Sequence, residues 1–164
     1  MEEKPETTIM KKAGKLLARR AFSRGELRHE LAKTSGKDLE PVLDRLERQN
    51  LLNDADYAYN FAVYRIGREG WSPARASAAL CRRLVAPSII DAALERVRKE
   101  LGTAPPLLQY IRKRCGEKGP PSNPEALNKL VSHLRRRGFD EETIFIALKE
   151  ILPASVFLRI EQGE

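Results

Sequence analysis

Three residues suited to opening a helix, Ser23, Ser72 and Asn123, recur about 50 residues apart. Each carries a side-chain oxygen that can accept a bond from an orphan N–H of a helix's first turn. Apolar residues follow each of them at the fourth and eighth positions: Leu27 and Leu31, Ala76 and Leu80, Leu127 and Val131. That spacing puts both on one helix face. A second apolar pair comes later in each stretch, Val42 and Leu46, Ile90 and Leu94, Ile144 and Leu148. One helical unit is written three times, and a chain built so buries its core locally and against its neighbours in sequence.

The punctuation supplies boundaries. Thr7 or Thr8 is placed to cap a helix running to about Arg20, with Ile9, Ala13, Leu16 and Leu17 on one face. Ser23 with Glu26 forms a capping box, and Phe22 and Leu27 stand where a hydrophobic staple would join them. The second helix is expected to end near Ser35 and Gly36. Asp38 opens the third, in which Pro41 is tolerable in the first turn. Asn53 or Asp54 caps a helix to about Arg68, with Tyr57, Phe61 and Tyr64 on its face, and Gly70 breaks it. Ser72 and Asn123 are each followed by proline, which suits the first helical position. Trp71 takes the staple position that Phe22 holds, a structural role for the only tryptophan. Pro87 begins a helix to about Leu101, a further unit starts at Pro105, Gly138 ends its middle helix, and Asp140 caps the last. The glycine- and proline-rich loop 116–121 is the candidate hinge. The expected fold is all-α: a tandem array of three three-helix repeats, elongated and curved, monomeric, with repeats at 1–52, 53–102 and 103–152 and a tail at 153–164.

Lys and Arg outnumber Asp and Glu by 30 to 23, a net charge of +7. The excess is spread: 12 basic against 9 acidic in 1–52, 8 against 6 in 53–102, and 9 against 6 in 103–152. Such a surface suits a polyanion or an acidic protein face. Chemistry is sparse. Cys81 and Cys115 form no paired motif, and Cys115 follows Leu108 and Ile111 at the spacing of a buried thiol. His29 points away from its helix's apolar face, and His133 lies at the edge of one, with no third metal ligand near either. There is no phosphate-binding glycine loop and no recognisable triad, so no enzyme, cofactor or metal is expected. No stretch approaches 18 apolar residues and the N-terminus has no apolar core, which points to a cytoplasmic protein without a membrane span.

The candidate binding residues are the basic clusters. Lys11, Lys12, Lys15, Arg19, Arg20, Arg24 and Arg28 cover the first two helices. Arg82 and Arg83 end the middle helix of the second unit; Arg112 and Lys113, with Arg114, and then Arg135, Arg136 and Arg137 mark the third. Cations at a helix C-terminus also complement its dipole, which accounts for Arg82, Arg83 and 135–137 individually but not for the shared sign of all three units.

The run from Leu16 to Ser23, then Glu26-Leu27-Arg28 and Val42-Leu43-Asp44-Arg45-Leu46, resembles the first repeat of the RecX family, modulators of the bacterial RecA recombinase. Leu51-Leu52-Asn53-Asp54, Tyr57-Ala58, Phe61 and Arg65 resemble that family's most recognisable stretch. Arg137-Gly138-Phe139-Asp140 with Ile144, Ala147 and Leu148 is similar to its last helices. Ala76 departs from the pattern by being small and Asp56 by being acidic. The family's basic-residue–glycine turn after the middle helix is replaced by 33–36 and 83–86. The resemblance implies a regulator that lodges in the groove of the RecA–DNA filament and restrains the recombinase, with direct contact to single-stranded DNA an open possibility, in DNA repair and the SOS response. The family offers no catalytic residues to carry over. Two other readings fit parts of the chain: a winged-helix DNA-binding regulator over 13–52, which needs a β-hairpin after the third helix, and an α-helical scaffold.

Overall fold

A computed structural model describes residues 5–35, 38–101, 106–116, 119–121 and 123–152. Among them are nine α-helices and no strand: α1 Pro5–Leu17, α2 Arg24–Ala32, α3 Glu40–Arg48, α4 Asp54–Ala62, α5 Pro73–Cys81, α6 Pro87–Leu101, α7 Pro106–Cys115, α8 Pro124–Arg136 and α9 Glu141–Ile151. A π-helical segment, Val63–Arg68, continues α4. The position after α3 that a wing would occupy is helical, which removes the winged-helix reading. Residues 36–37, 117–118 and 153–164 are outside the description, and with them the glycine expected to end α2, the centre of the candidate hinge and the tail.

The caps form where local chemistry requires them. Ser23 Oγ accepts the N–H of Glu26 at 3.0 Å, and Glu26 returns a carboxylate oxygen to the Ser23 N–H at 3.2 Å. Ser72 Oγ accepts from Arg75 at 3.1 Å, Asn123 Oδ1 from Ala126 at 2.8 Å, and Asp140 Oδ1 from Thr143 at 2.7 Å. Two expected starts are displaced. Thr7 and Thr8 lie inside α1, which opens at Pro5, a residue whose missing N–H costs nothing there, and closes at Leu17 rather than Arg20. Asp38 sits two residues ahead of α3 and accepts the Glu40 N–H at 3.1 Å, while Leu39 between them is buried. The second helix stops at Ala32, short of Ser35.

The chain divides into two compact units, Met1–Phe61 with Ser77–Glu95 and Ala62–Ala76 with Arg96–Glu164. In the first, Leu27, Leu31, Leu43 and Leu46 are almost wholly buried in a core with Ile9, Ala13 and Phe22, each leucine contributing roughly 1.5–3 kcal/mol by leaving water. Leu80, Val85 and Ile90 form a smaller cluster there around Ala58. In the second, Leu107, Ile111, Leu127, Leu134, Ile144 and Leu148 share one core. The buried stripe of α4 and its π-helical extension is Ala58, Ala62 and Ile66, not the expected Tyr57, Phe61 and Tyr64; Tyr64 is 50% exposed. Ala58, Ala62 and Ile66 follow one another at four-residue steps, a face one residue round from the aromatic one, and Tyr57 and Phe61 pack partly buried beside it.

The same contact recurs once in each unit. In the first, the Ser23 hydroxyl donates to the carbonyl of Arg83, just beyond the end of α5. In the second, the Ser72 N–H donates to the carbonyl of Arg137, just beyond the end of α8, at 3.1 Å. Both turns are closed alike, by Val85 N–H to Leu80 O and by Phe139 N–H to Leu134 O, with a left-handed residue between. Gly138 takes that conformation at φ +88 without strain, whereas in the first unit Leu84 adopts it at φ 59.

Candidate functional site

The expected basic cluster of α1 and α2 is largely engaged with the chain itself. Arg24 reaches across to α3, with Nη2 at 2.6 Å from Glu40 and 2.7 Å from Asp44, and Nη1 at 2.5 Å from Glu47. Burial opposes its charge, but the bonds to Asp44, Glu40 and Glu47 outweigh that and hold the guanidinium above its ordinary range. Arg28 pairs with Glu40 at 2.5 Å. Arg20 lies 3.6 Å over the Phe22 ring and 3.3 Å from Glu26, and the Lys12 ammonium donates to the Thr34 hydroxyl. Lys11, Lys15 and Arg19 are exposed along α1 and just beyond it. Arg82 is exposed, while Arg83 folds back to the Ala79 carbonyl at 3.0 Å and covers Phe61 at 4.6 Å.

In the second unit, arginines distant in sequence converge. An open groove of about 830 Å³ is lined by Arg68, Glu69, Trp71, Arg75, Tyr110, His133, Arg136 and Arg137. The guanidinium of Arg75 lies 4.0 Å over the Trp71 ring and that of Arg65 4.8 Å over it; Arg137 lies 4.9 Å over Tyr110. Such stacking holds a guanidinium flat while leaving edges of its N–H fork for a ligand. Arg75 also donates to the Arg136 carbonyl at 2.7 Å, fixing its reach. The one lining carboxylate, Glu69, is paired with Arg65 at 2.5 Å. A hydrogen bond of 2.7 Å joins Tyr110 Oη and His133 Nε2, with the ring planes parallel to within 2°. Burial, then the charges of Arg114, Arg137 and Arg136, push His133 below the ordinary histidine range.

Local packing explains why the groove is open. Gly70, at φ +65, leaves its α-carbon bare where a β-carbon would stand 2.1 Å from the Tyr110 ring, and the tyrosine closes in on the backbone there. Trp71 is half-buried, unlike the buried Phe22, and the residue five positions on is the small Ala76 where Leu27 follows Phe22. Of the sequence candidates, Arg136 and Arg137 belong to this groove; Arg135 turns to Glu141 at 2.6 Å, and Arg112 and Lys113 are exposed on α7. Arg68 and Arg75 were missed because neither stands in a basic run. The available signal was their spacing, with Arg65, around the only tryptophan. No group of three or more His, Cys, Asp or Glu among the described residues is placed to hold a metal ion, and none of the described helices is long and apolar enough to cross a membrane.

The architecture defines a class, all-helical proteins built of three-helix repeats. A family model for the second three-helix domain of RecX matches residues 53–94. Regulatory protein RecX of Pseudomonas putida strain F1 is 36% identical over 138 residues, covering 83% of this chain and 86% of that one. The RecX of Amycolatopsis mediterranei is 30% identical over 139 residues, covering 84% and 79%. The crystal structure of RecX from Lactobacillus salivarius superposes with a TM-score of 0.68 at 18% identity, over 89% of this chain and 96% of that one, a likeness of fold. The chain belongs to the RecX family of regulatory proteins.

Proposed function

We propose that this protein binds the RecA–DNA filament and restrains recombinase activity, acting without catalysis of its own in DNA repair and the SOS response. The observation that carries the reading is its membership of the RecX regulatory family over most of its length. The cationic surface supports it, since a nucleoprotein filament is a polyanion that attracts basic proteins at long range. On this reading the three repeats at 1–52, 53–102 and 103–152 are its functional modules, and it works in the cytoplasm as a monomer with no cofactor. The exposed cations Lys15, Arg19, Arg82, Arg112 and Lys113 then add to the attraction, while Arg24 and Arg28 serve the fold.

The test is RecA ATPase and strand exchange on single-stranded DNA with increasing amounts of this protein, together with co-sedimentation with preformed filaments. Both activities are expected to fall in proportion to filament occupancy. Unchanged rates with no co-sedimentation would overturn the reading.

A further inference from the structure

We infer that the groove around Trp71 is a binding site for the sugar–phosphate backbone of single-stranded nucleic acid, held by the guanidinium groups of Arg68, Arg75, Arg136 and Arg137. The inference concerns naked nucleic acid and does not depend on RecA.

The four arginines come from separate parts of the second unit and face a common concavity. The only lining carboxylate among the described residues, Glu69, is already neutralised by Arg65 at 2.5 Å, so the local field is positive. Two of the four are immobilised on aromatic rings, Arg75 on Trp71 and Arg137 on Tyr110. A guanidinium held flat in this way loses less freedom on binding and presents a fork matched to a phosphate's oxygens. The other two, Arg68 and Arg136, are exposed and hold no carboxylate among the described residues. They are the mobile pair that can follow a backbone.

An acidic peptide would also satisfy charge. The stacked arrangement favours nucleic acid, because guanidinium planes laid flat on an indole and a phenol present outer faces on which unpaired bases can stack, which a carboxylate side chain cannot use. The openness of the groove suits a strand passing through better than a small ligand, which a closed and more apolar cavity would enclose.

Trp71 is the only tryptophan, so its fluorescence reports on the groove alone. A twelve-residue oligothymidylate is titrated into the full chain at several salt concentrations, against Arg68→Gln/Arg136→Gln. Neither exposed side chain supports the fold, and matching emission of the two free proteins confirms it. Saturable quenching is expected for the wild type. The double variant should bind about 20-fold more weakly near 0.1 M salt, with a log–log salt slope shallower by about 1.4, the value for two lost phosphate contacts on a single strand. Poly-glutamate should fail to displace the oligonucleotide, and tripolyphosphate at equal phosphate should displace little of it.

Four results would overturn the inference: no change in Trp71 emission, a double variant that binds like wild type, displacement by poly-glutamate at equal charge, or displacement by tripolyphosphate at equal phosphate. The last two would mark the groove as an acidic-protein site and a free-phosphate site respectively. A double variant that loses the oligonucleotide but still inhibits RecA supports the groove assignment and places filament binding elsewhere on the chain.

Discussion

The N–H of Ser72, the cap of α5, donates to the carbonyl of Arg137 at 3.1 Å, and Ser23, the cap of α2, gives its hydroxyl hydrogen to the carbonyl of Arg83. A residue that opens one middle helix thus satisfies a carbonyl released at the end of another. Helix ends leave such groups unpaired, and here the end of one helix supplies the partner for the start of an earlier one.

Ser23 is fully buried and serves two bonds, accepting from Glu26 and donating to Arg83. Ser23→Ala removes both and leaves the half-buried Arg83 carbonyl as well as a first-turn N–H without these partners. The expected loss is about 2 kcal/mol, above the ~1 kcal/mol of an ordinary cap. It would be read as a lower urea midpoint at unchanged slope. An unaltered midpoint would show that Ser23 holds neither group.

Arg24 bridges Glu40, Asp44 and Glu47 along α3, with Glu40 shared with Arg28. Arg24→Met leaves Asp44 and Glu47 without this partner and Glu40 with Arg28 alone. Because all are partly exposed, solvent screening limits the loss to about 1–2 kcal/mol. Raising salt to 1 M should narrow the gap between variant and wild type by screening these ion pairs. A gap indifferent to salt would mean that Arg24 acts through packing of its aliphatic stem.

How much of this was legible follows from the distance over which each feature is decided. Ser23, Asn123 and Asp140 are caps because a short polar side chain meets an N–H three residues away, and sequence shows that. The core faces of α2, α3 and α9 followed from periodicity. The π turn at Val63–Arg68 has no local signature. Glycine marked the left-handed positions at 70 and 138 but not those at Asn50 and Leu84, which take the same conformation without it. The groove was least legible. Arg136 and Arg137 drew notice as part of a run, but Arg68 and Arg75 join them only when α5 meets the end of α8.

Asp54 shows the same limit, and its placement gives a pH signature. Expected as a possible cap for its own helix, it instead accepts the N–H of Arg24 at 2.6 Å, while Asn53 Oδ1 caps α4 by accepting from Asp56 at 3.1 Å. Burial pushes its carboxyl above the ordinary range, against the opposing Arg24 N–H bond. The folded chain therefore holds this proton more readily than the unfolded one. Asp54's contribution is full below the ordinary carboxylate range and is lost as pH rises through the raised folded value. The wild-type urea midpoint minus that of Asp54→Asn should fall with pH across this window and be flat above it. A difference that grows with pH there would contradict the assignment.

His133 titrates in the opposite sense. Burial and the nearby charges of Arg114, Arg137 and Arg136 favour its neutral form, so its midpoint by NMR in the full chain should lie below the ordinary value of 6.5. The folded state binds this proton less readily than the unfolded state does. Its stabilising contribution is present above the unfolded value and is lost as pH falls through the depressed folded one. Arg137→Gln should raise the midpoint only part of the way, because burial, the larger cause, remains. Tyr110→Phe removes the 2.7 Å bond to Nε2 while keeping the ring over which Arg137 lies. The Cε1 resonance of His133 should shift in that variant even at a pH where the ring stays neutral. A midpoint at or above 6.5, with a resonance indifferent to Tyr110→Phe, would mean that the imidazole stands in solvent and that the groove is not closed on that side.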